Sequence, residues 1–154
     1  VTAELDESEL AAWGETIGRS AHPPLVLAVR GDLGAGKTTL ARSIARGAGV
    51  SGSIPSPTYN LLFRYSTGRG TEFVHLDLYR LEHEDEVWAL GWSELPADDE
   101  IVVIEWPERA ESRLPPDRWD VFLGDGVGPL VRSVRVVRSG NPSTIPLPGG
   151  AEKA

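Results

Sequence analysis

At 154 residues with 40% apolar side chains, the chain has the size and composition of one domain with a real core. Its longest apolar runs, Leu25 to Val29 and Ile101 to Ile104, fall far short of the roughly 20 residues that cross a bilayer, and the absence of cysteine excludes disulfides, thiolate metal sites and cysteine nucleophiles. The net charge of -8 is unevenly spread: from Glu72 to Glu111 thirteen acids stand against two arginines, a middle that repels phosphate backbones and disfavours autonomous binding to RNA or DNA.

Glu4, Asp6, Glu7 and Glu9 lie where a signal peptide would carry positive charge, so a cytosolic, membrane-free protein is expected. Asp6 followed by Glu9 has the form of a capping box, and Leu10, Trp13, Ile17 and Ala21 recur at helical spacing up to the stop at Pro23-Pro24. An N-terminal amphipathic helix follows from that pattern. Leu25 to Arg30 reads as a short apolar strand, Gly31 to Gly36 as a glycine-rich turn, and Lys37 to Ala48 as a helix ended by Gly49. Past a Pro/Ser loop, Tyr59 to Tyr65 and Thr71 to Tyr79 predict a hairpin joined at Gly68-Arg69-Gly70. The acidic stretch Glu82 to Leu95 predicts one or two short helices, Ile101 to Glu105 a buried strand, and Glu108 to Leu114 a helical turn. Trp119 to Leu123 and Val131 to Val137 close the pattern as strands. Residues 1–138 are thus expected to form one α/β domain, and 139–154, rich in Gly, Pro and Ser without periodicity, a disordered tail.

Gly31-Asp32-Leu33-Gly34-Ala35-Gly36-Lys37-Thr38 satisfies G-x-x-x-x-G-K-[ST] and stands between a strand and a helix, where that loop works. Its glycines let backbone N–H groups converge on phosphates, with the positive end of the helix behind them. Lys37 is expected to reach the β- and γ-phosphates and the Thr38 hydroxyl to bind Mg²⁺, with Thr39 as a further phosphate contact or helix starter. Two strands end in an acid, Phe73 to Asp77 and Ile101 to Glu105, and strand ends line the ligand crevice of open α/β sheets. Glu105 is therefore assigned to Mg²⁺, directly or through water, and Asp77 to the attacking water or the metal's water shell; the two can exchange roles. Thr58, in the loop after the helix, is the candidate sensor of the γ-phosphate. His75 alternates with Asp77 and shares its face, but a lone histidine is more often a packed residue, and it receives no role here. The guanine-reading N-K-x-D is absent, which favours ATP. Phosphoryl transfer to water and to a hydroxyl both remain open to such a loop, so a small-molecule kinase is the chemical rival.

Together, GDLGAGKTT at Gly31 to Thr39, SPTY at Ser56 to Tyr59, HLDLYRL at His75 to Leu81 and IEWPER at Ile104 to Arg109 resemble the TsaE family in wording and in order. The likeness runs from Trp13 to about Arg138. It implies a P-loop NTPase-like three-layer fold, whose mainly parallel sheet gains antiparallel strands from the hairpin and the C-terminal pair. It also implies nucleotide binding by Asp32, Leu33, Gly34, Ala35, Gly36, Lys37, Thr38 and Thr39, Mg²⁺ at Thr38 and Glu105, and functional importance for Thr58, Asp77 and Trp106. The implied job is ATP hydrolysis that sustains repeated turnover of TsaD and TsaB, which transfer a threonylcarbamoyl group to adenosine 37 of tRNA. The RNA would be reached only through that complex. A binding module, in which nucleotide only gates docking, is the second class of reading.

Overall fold

The computed structural model describes residues 1–52 and 61–150; Thr58 and the SPTY stretch lie outside the described residues. Strand β1 (Thr2–Asp6) leads into α1 (Glu7–Ser20), β2 (Leu25–Arg30) into α2 (Lys37–Ala48), and β3 (Leu62–Ser66) into β4 (Glu72–Asp77). After two 3₁₀ segments, Glu84–Leu90 and Trp92–Glu94, come β5 (Glu100–Glu105), a third 3₁₀ segment at Pro107–Arg113, β6 (Arg118–Asp125) and β7 (Val131–Ser139). The strands form one seven-stranded sheet in the order β1-β7-β6-β2-β5-β4-β3. The central four, β6, β2, β5 and β4, are parallel, while β7, β1 and β3 are added antiparallel at the two flanks. The expected α/β architecture is therefore present, with one strand more than the sequence suggests. β1 escapes a pattern search because Leu5 is its only fully buried side chain, and its pairing partner β7 lies at the far end of the chain.

Continuous apolar runs make β2 and β5 central, since both faces of a parallel strand are covered. One face packs Leu25, Leu27, Val29, Phe73 and Val103 under Leu10, Trp13, Ile17, Leu40 and Ile44 of α1 and α2. On the other face Val26, Val74, Leu76, Val102 and Ile104 are covered by Leu78, Leu81, Val87, Trp92 and Ala110 from the loops and 3₁₀ segments. That second cover stays short-turned because Gly91, with φ of 74°, and the prolines at 96 and 107 interrupt it before a long helix can propagate.

The capping box that opens α1 is formed as its residues dictate: the Glu9 N–H donates to Asp6 Oδ1 at 2.7 Å, and the Asp6 N–H to Glu9 Oε1 at 3.1 Å. Two glycines then bring α1 and α2 into backbone contact. A Cβ placed on Gly18 would lie 2.0 Å from the Ile44 carbonyl oxygen, and one on Gly47 2.0 Å from that of Glu15. Gly18→Ala and Gly47→Ala are each expected to destabilise the chain by about 1–3 kcal/mol, because the added methyl meets backbone that cannot swing aside. Wild-type melting temperatures in both would refute that packing.

The expectation of a disordered tail fails for residues 141–150. Trp13 Nε1 donates to the Pro146 carbonyl at 2.9 Å and Trp119 Nε1 to that of Ser143 at 2.7 Å, while the Ser143 hydroxyl donates to the Pro24 carbonyl at 3.1 Å. Ile145 is buried in the same core as α1. The segment is a strap that satisfies two indole N–H groups, and a strap has no period to read. Deleting residues 141–154 is therefore expected to cost about 2–4 kcal/mol, through the lost Ile145 packing and the orphaned indoles. A denaturant midpoint equal to that of the full chain would show that the strap carries no stability.

Candidate functional site

The loop 31–36 leaves the C-terminal end of β2 and feeds directly into α2. Gly36 caps α2 with φ of 104°, a conformation open to glycine, and supplies no side chain to the first-turn N–H groups; no acid occupies that turn either. The helix therefore presents its N-terminal donors and the positive end of its dipole to the space above the sheet. Ala35 packs into the core beneath the loop, while Leu33 stands largely exposed at its tip.

Lys37 is 5% exposed and folds back under the loop, its Nζ donating to the carbonyls of Gly31 and Asp32, the latter at 2.9 Å. The same nitrogen lies 3.8 Å from the centre of the Trp106 ring, within cation–π range. Burial pushes the Lys37 ammonium below the usual lysine value, and the Glu105 carboxylate draws it back up.

β5 delivers Glu105 beside Val29 on one neighbour and Asp77 on the other, so both acids stand at the same level of the sheet, next to the loop. Glu105 is 2% exposed. Its Oε1 accepts from the Thr38 hydroxyl at 3.0 Å, and its Oε2 lies 2.5 Å from His75 Nε2. Asp77 accepts the Tyr79 N–H at 3.1 Å. Burial raises the Asp77 carboxyl above its ordinary value; the Tyr79 N–H opposes that shift and the neighbouring Glu105 adds to it. Immediately after Glu105 the chain turns sharply. Trp106, at φ 56° and ψ 49°, is the one non-glycine residue with positive φ among the described residues, and its ring stands 5.0 Å from that of Tyr79. A strained backbone held in place beside a cleft belongs with function more often than with mere chain reversal.

Leu33, Gly34, Gly36, Lys37, Thr38, Thr39, Asp77, Tyr79, Glu105 and Trp106 line a single cleft of about 370 Å³. All but Tyr79 are residues singled out from the sequence. Asp32 contributes its carbonyl to Lys37 from behind the loop. A second cleft of about 450 Å³ adjoins it, sharing Gly34, Gly36 and Thr39 and bounded by Asp6, Glu7, Ser8, Leu10, Pro129, Leu130 and Arg132. Arg132 also ties the loop to β7, donating to the Gly34 carbonyl at 3.0 Å. Sequence reasoning missed this second wall, which is assembled from β1, α1 and the β6–β7 turn. It also passed over His75, although the alternation His75, Asp77 already put both on one face.

The Thr38 hydroxyl, Glu105 and Asp77 are hard oxygen donors, the chemistry that suits Mg²⁺. Among the described residues no group of three or more His, Asp or Glu side chains could hold a metal by itself. The residues fit a cation that keeps much of its water and takes its other oxygens from phosphate, which is how Mg²⁺ is usually held.

The same residues carry the chain's likeness to known proteins. The family model described as "Threonylcarbamoyl adenosine biosynthesis protein TsaE" matches residues 5–127. The tRNA threonylcarbamoyladenosine biosynthesis protein TsaE of Haemophilus influenzae is 41% identical over 91 residues, covering 59% of this chain and 57% of that protein. The protein of the same name from Treponema pallidum is 38% identical over 107 residues, 70% of this chain and 78% of that one. Its Bacillus subtilis counterpart is 33% identical over 119 residues, 77% and 73% of the two. In three dimensions the crystal structure of Bacillus subtilis YdiB superposes with a TM-score of 0.73 at 26% identity, over 91% of this chain and 86% of that chain. The fold is that of the P-loop NTPases, and from its sequence and its architecture alike the chain belongs to the TsaE family.

Proposed function

We propose that the chain binds ATP with Mg²⁺ across the two adjoining clefts and hydrolyses it, serving as the ATPase subunit of a tRNA N6-threonylcarbamoyladenosine synthesis complex built on TsaD-like and TsaB-like partners. The observation that carries this reading is the meeting of Lys37, Thr38, Glu105 and Asp77 around one phosphate-sized loop at the C-terminal ends of β2, β4 and β5. The first cleft takes the triphosphate against the loop's N–H groups, and Lys37 exchanges the carbonyls of Gly31 and Asp32 for phosphate oxygens. The second, partly apolar cleft takes the nucleoside. Thr38 and Glu105 hold Mg²⁺, which when bound neutralises charge on the β- and γ-phosphates. Asp77 accepts a hydrogen bond from the attacking water, and its raised affinity for a proton suits an acceptor. Trp106 covers Lys37 and excludes water from its ammonium.

The acidic surface between Glu72 and Glu111 keeps the chain itself from gripping tRNA, so the RNA is met through the partners, in the cytoplasm. No helix of the described residues is long and apolar enough to cross a membrane. The test is ATP turnover by the chain alone and with TsaB and TsaD, alongside repeated rounds of tRNA modification. A hydrolysis-dead variant that sustains full multiple-turnover modification would favour the nucleotide-gated binding module instead.

A further inference from the structure

Glu105 ends its strand with both carboxylate oxygens engaged, Oε1 by Thr38 and Oε2 by His75. His75 is fully buried, in register between Val103 on β5 and Phe63 on β3, with its ring 6.4 Å from that of Phe73. Packing alone would be met there by any flat apolar ring. A histidine differs by what its nitrogens do, and Nε2 faces Glu105 while Nδ1 is buried with no hydrogen-bond partner among the described residues. A hydrogen on Nδ1 would be a buried N–H with no acceptor among the described residues, so the geometry favours the tautomer that donates from Nε2 to Glu105. Without that donor, Oε2 would be a buried carboxylate oxygen lacking compensation, and the carboxylate would rotate to find one.

We infer that His75 is a positioning residue: by holding Oε2 it fixes the Glu105 carboxylate so that Oε1 faces Thr38, and thereby sets the chain's affinity for Mg²⁺ without touching nucleotide or metal. This rests on the proposed metal role of Glu105. Groups that orient a metal-binding carboxylate typically change metal affinity about 10–100-fold when removed.

His75→Phe keeps the ring and loses the donor; His75→Gln restores an N–H at the position of Nε2. The measurement is Mn²⁺ binding by electron paramagnetic resonance in the presence of a non-hydrolysable ATP analogue, with the Mg²⁺ requirement of ATP turnover read in parallel. His75→Phe should weaken Mn²⁺ binding about tenfold while leaving nucleotide affinity measured without metal unchanged, and His75→Gln should recover most of the loss. Wild-type Mn²⁺ affinity in His75→Phe, beside weakened binding in Glu105→Ala, overturns the positioning role alone. Equal impairment in the Phe and Gln variants also overturns it, because that is what a packing role predicts. Wild-type Mn²⁺ affinity in Glu105→Ala overturns the metal role itself, and the inference falls with it. Should His75→Phe fail to fold, the imidazole ¹⁵N spectrum of the wild-type chain decides: hydrogen on Nε2 sustains the inference, and hydrogen on Nδ1 ends it.

Discussion

Lys37→Ala is expected to reduce ATP hydrolysis by at least about 100-fold, the usual scale for removing a preorganised group that stabilises transition-state charge. The reason lies in its setting. Lys37 is a buried ammonium whose hydrogen bonds go to two loop carbonyls, and among the described residues no other lysine or arginine lines the first cleft. Alanine leaves the phosphates facing backbone N–H groups only, so binding of the triphosphate should weaken as well. Because the removed charge is only partly compensated by Glu105, the fold should survive, and circular dichroism should match the wild type. Steady-state phosphate release measures the effect, and normal turnover would sink the assignment of the loop.

The second large effect is expected from the two acids. Asp77→Ala and Glu105→Ala should each retain nucleotide binding yet lose most hydrolysis, because both place negative charge beside a triphosphate that already repels it. That placement is useful only with a cation between them. Glu105→Ala should in addition need more Mg²⁺ for whatever activity remains, since it removes the partner of Thr38; an unchanged Mg²⁺ dependence would take Glu105 off the metal. For Asp77 the sign of the stability effect follows from its raised carboxyl. A folded-state value above the unfolded one means that the native chain holds the proton more tightly, so stability falls as pH rises from the ordinary carboxyl range through the folded value. Asp77→Asn removes that burden while keeping an acceptor for the Tyr79 N–H. It should raise the melting temperature at neutral pH even as turnover collapses, and a lower melting temperature would contradict the cause assigned to the shift.

Much of this architecture could be read from local signals. The apolar runs of β2 and β5 announce strands covered on both faces, Asp6 and Glu9 announce the start of α1, and the loop with Lys37 and Thr38 announces its place between strand and helix. What stayed hidden depends on partners distant in the chain. β1 is defined by pairing with β7, the strap by indoles on α1 and β6, and the second cleft by three separate segments meeting. His75 shows the limit most clearly. Its neighbours in sequence say that it lies on a buried strand face, but the carboxylate that gives it a task sits on another strand.

The backbone contact at Gly18 and Gly47 also decides where the chain can change shape. Where these two glycines lie no side chain separates α1 from α2, so they slide past each other only if their backbones are prised apart, and the helix that carries Lys37 and Thr38 is an anvil. The cover on the other face of the sheet, from Leu78 to Ala97, is held instead by 3₁₀ segments and loops rather than long helices, and only Tyr79 of that run reaches the first cleft. In deuterium exchange the interior amides of α2 should open only with global unfolding, whereas those of residues 82–98 should exchange through local opening.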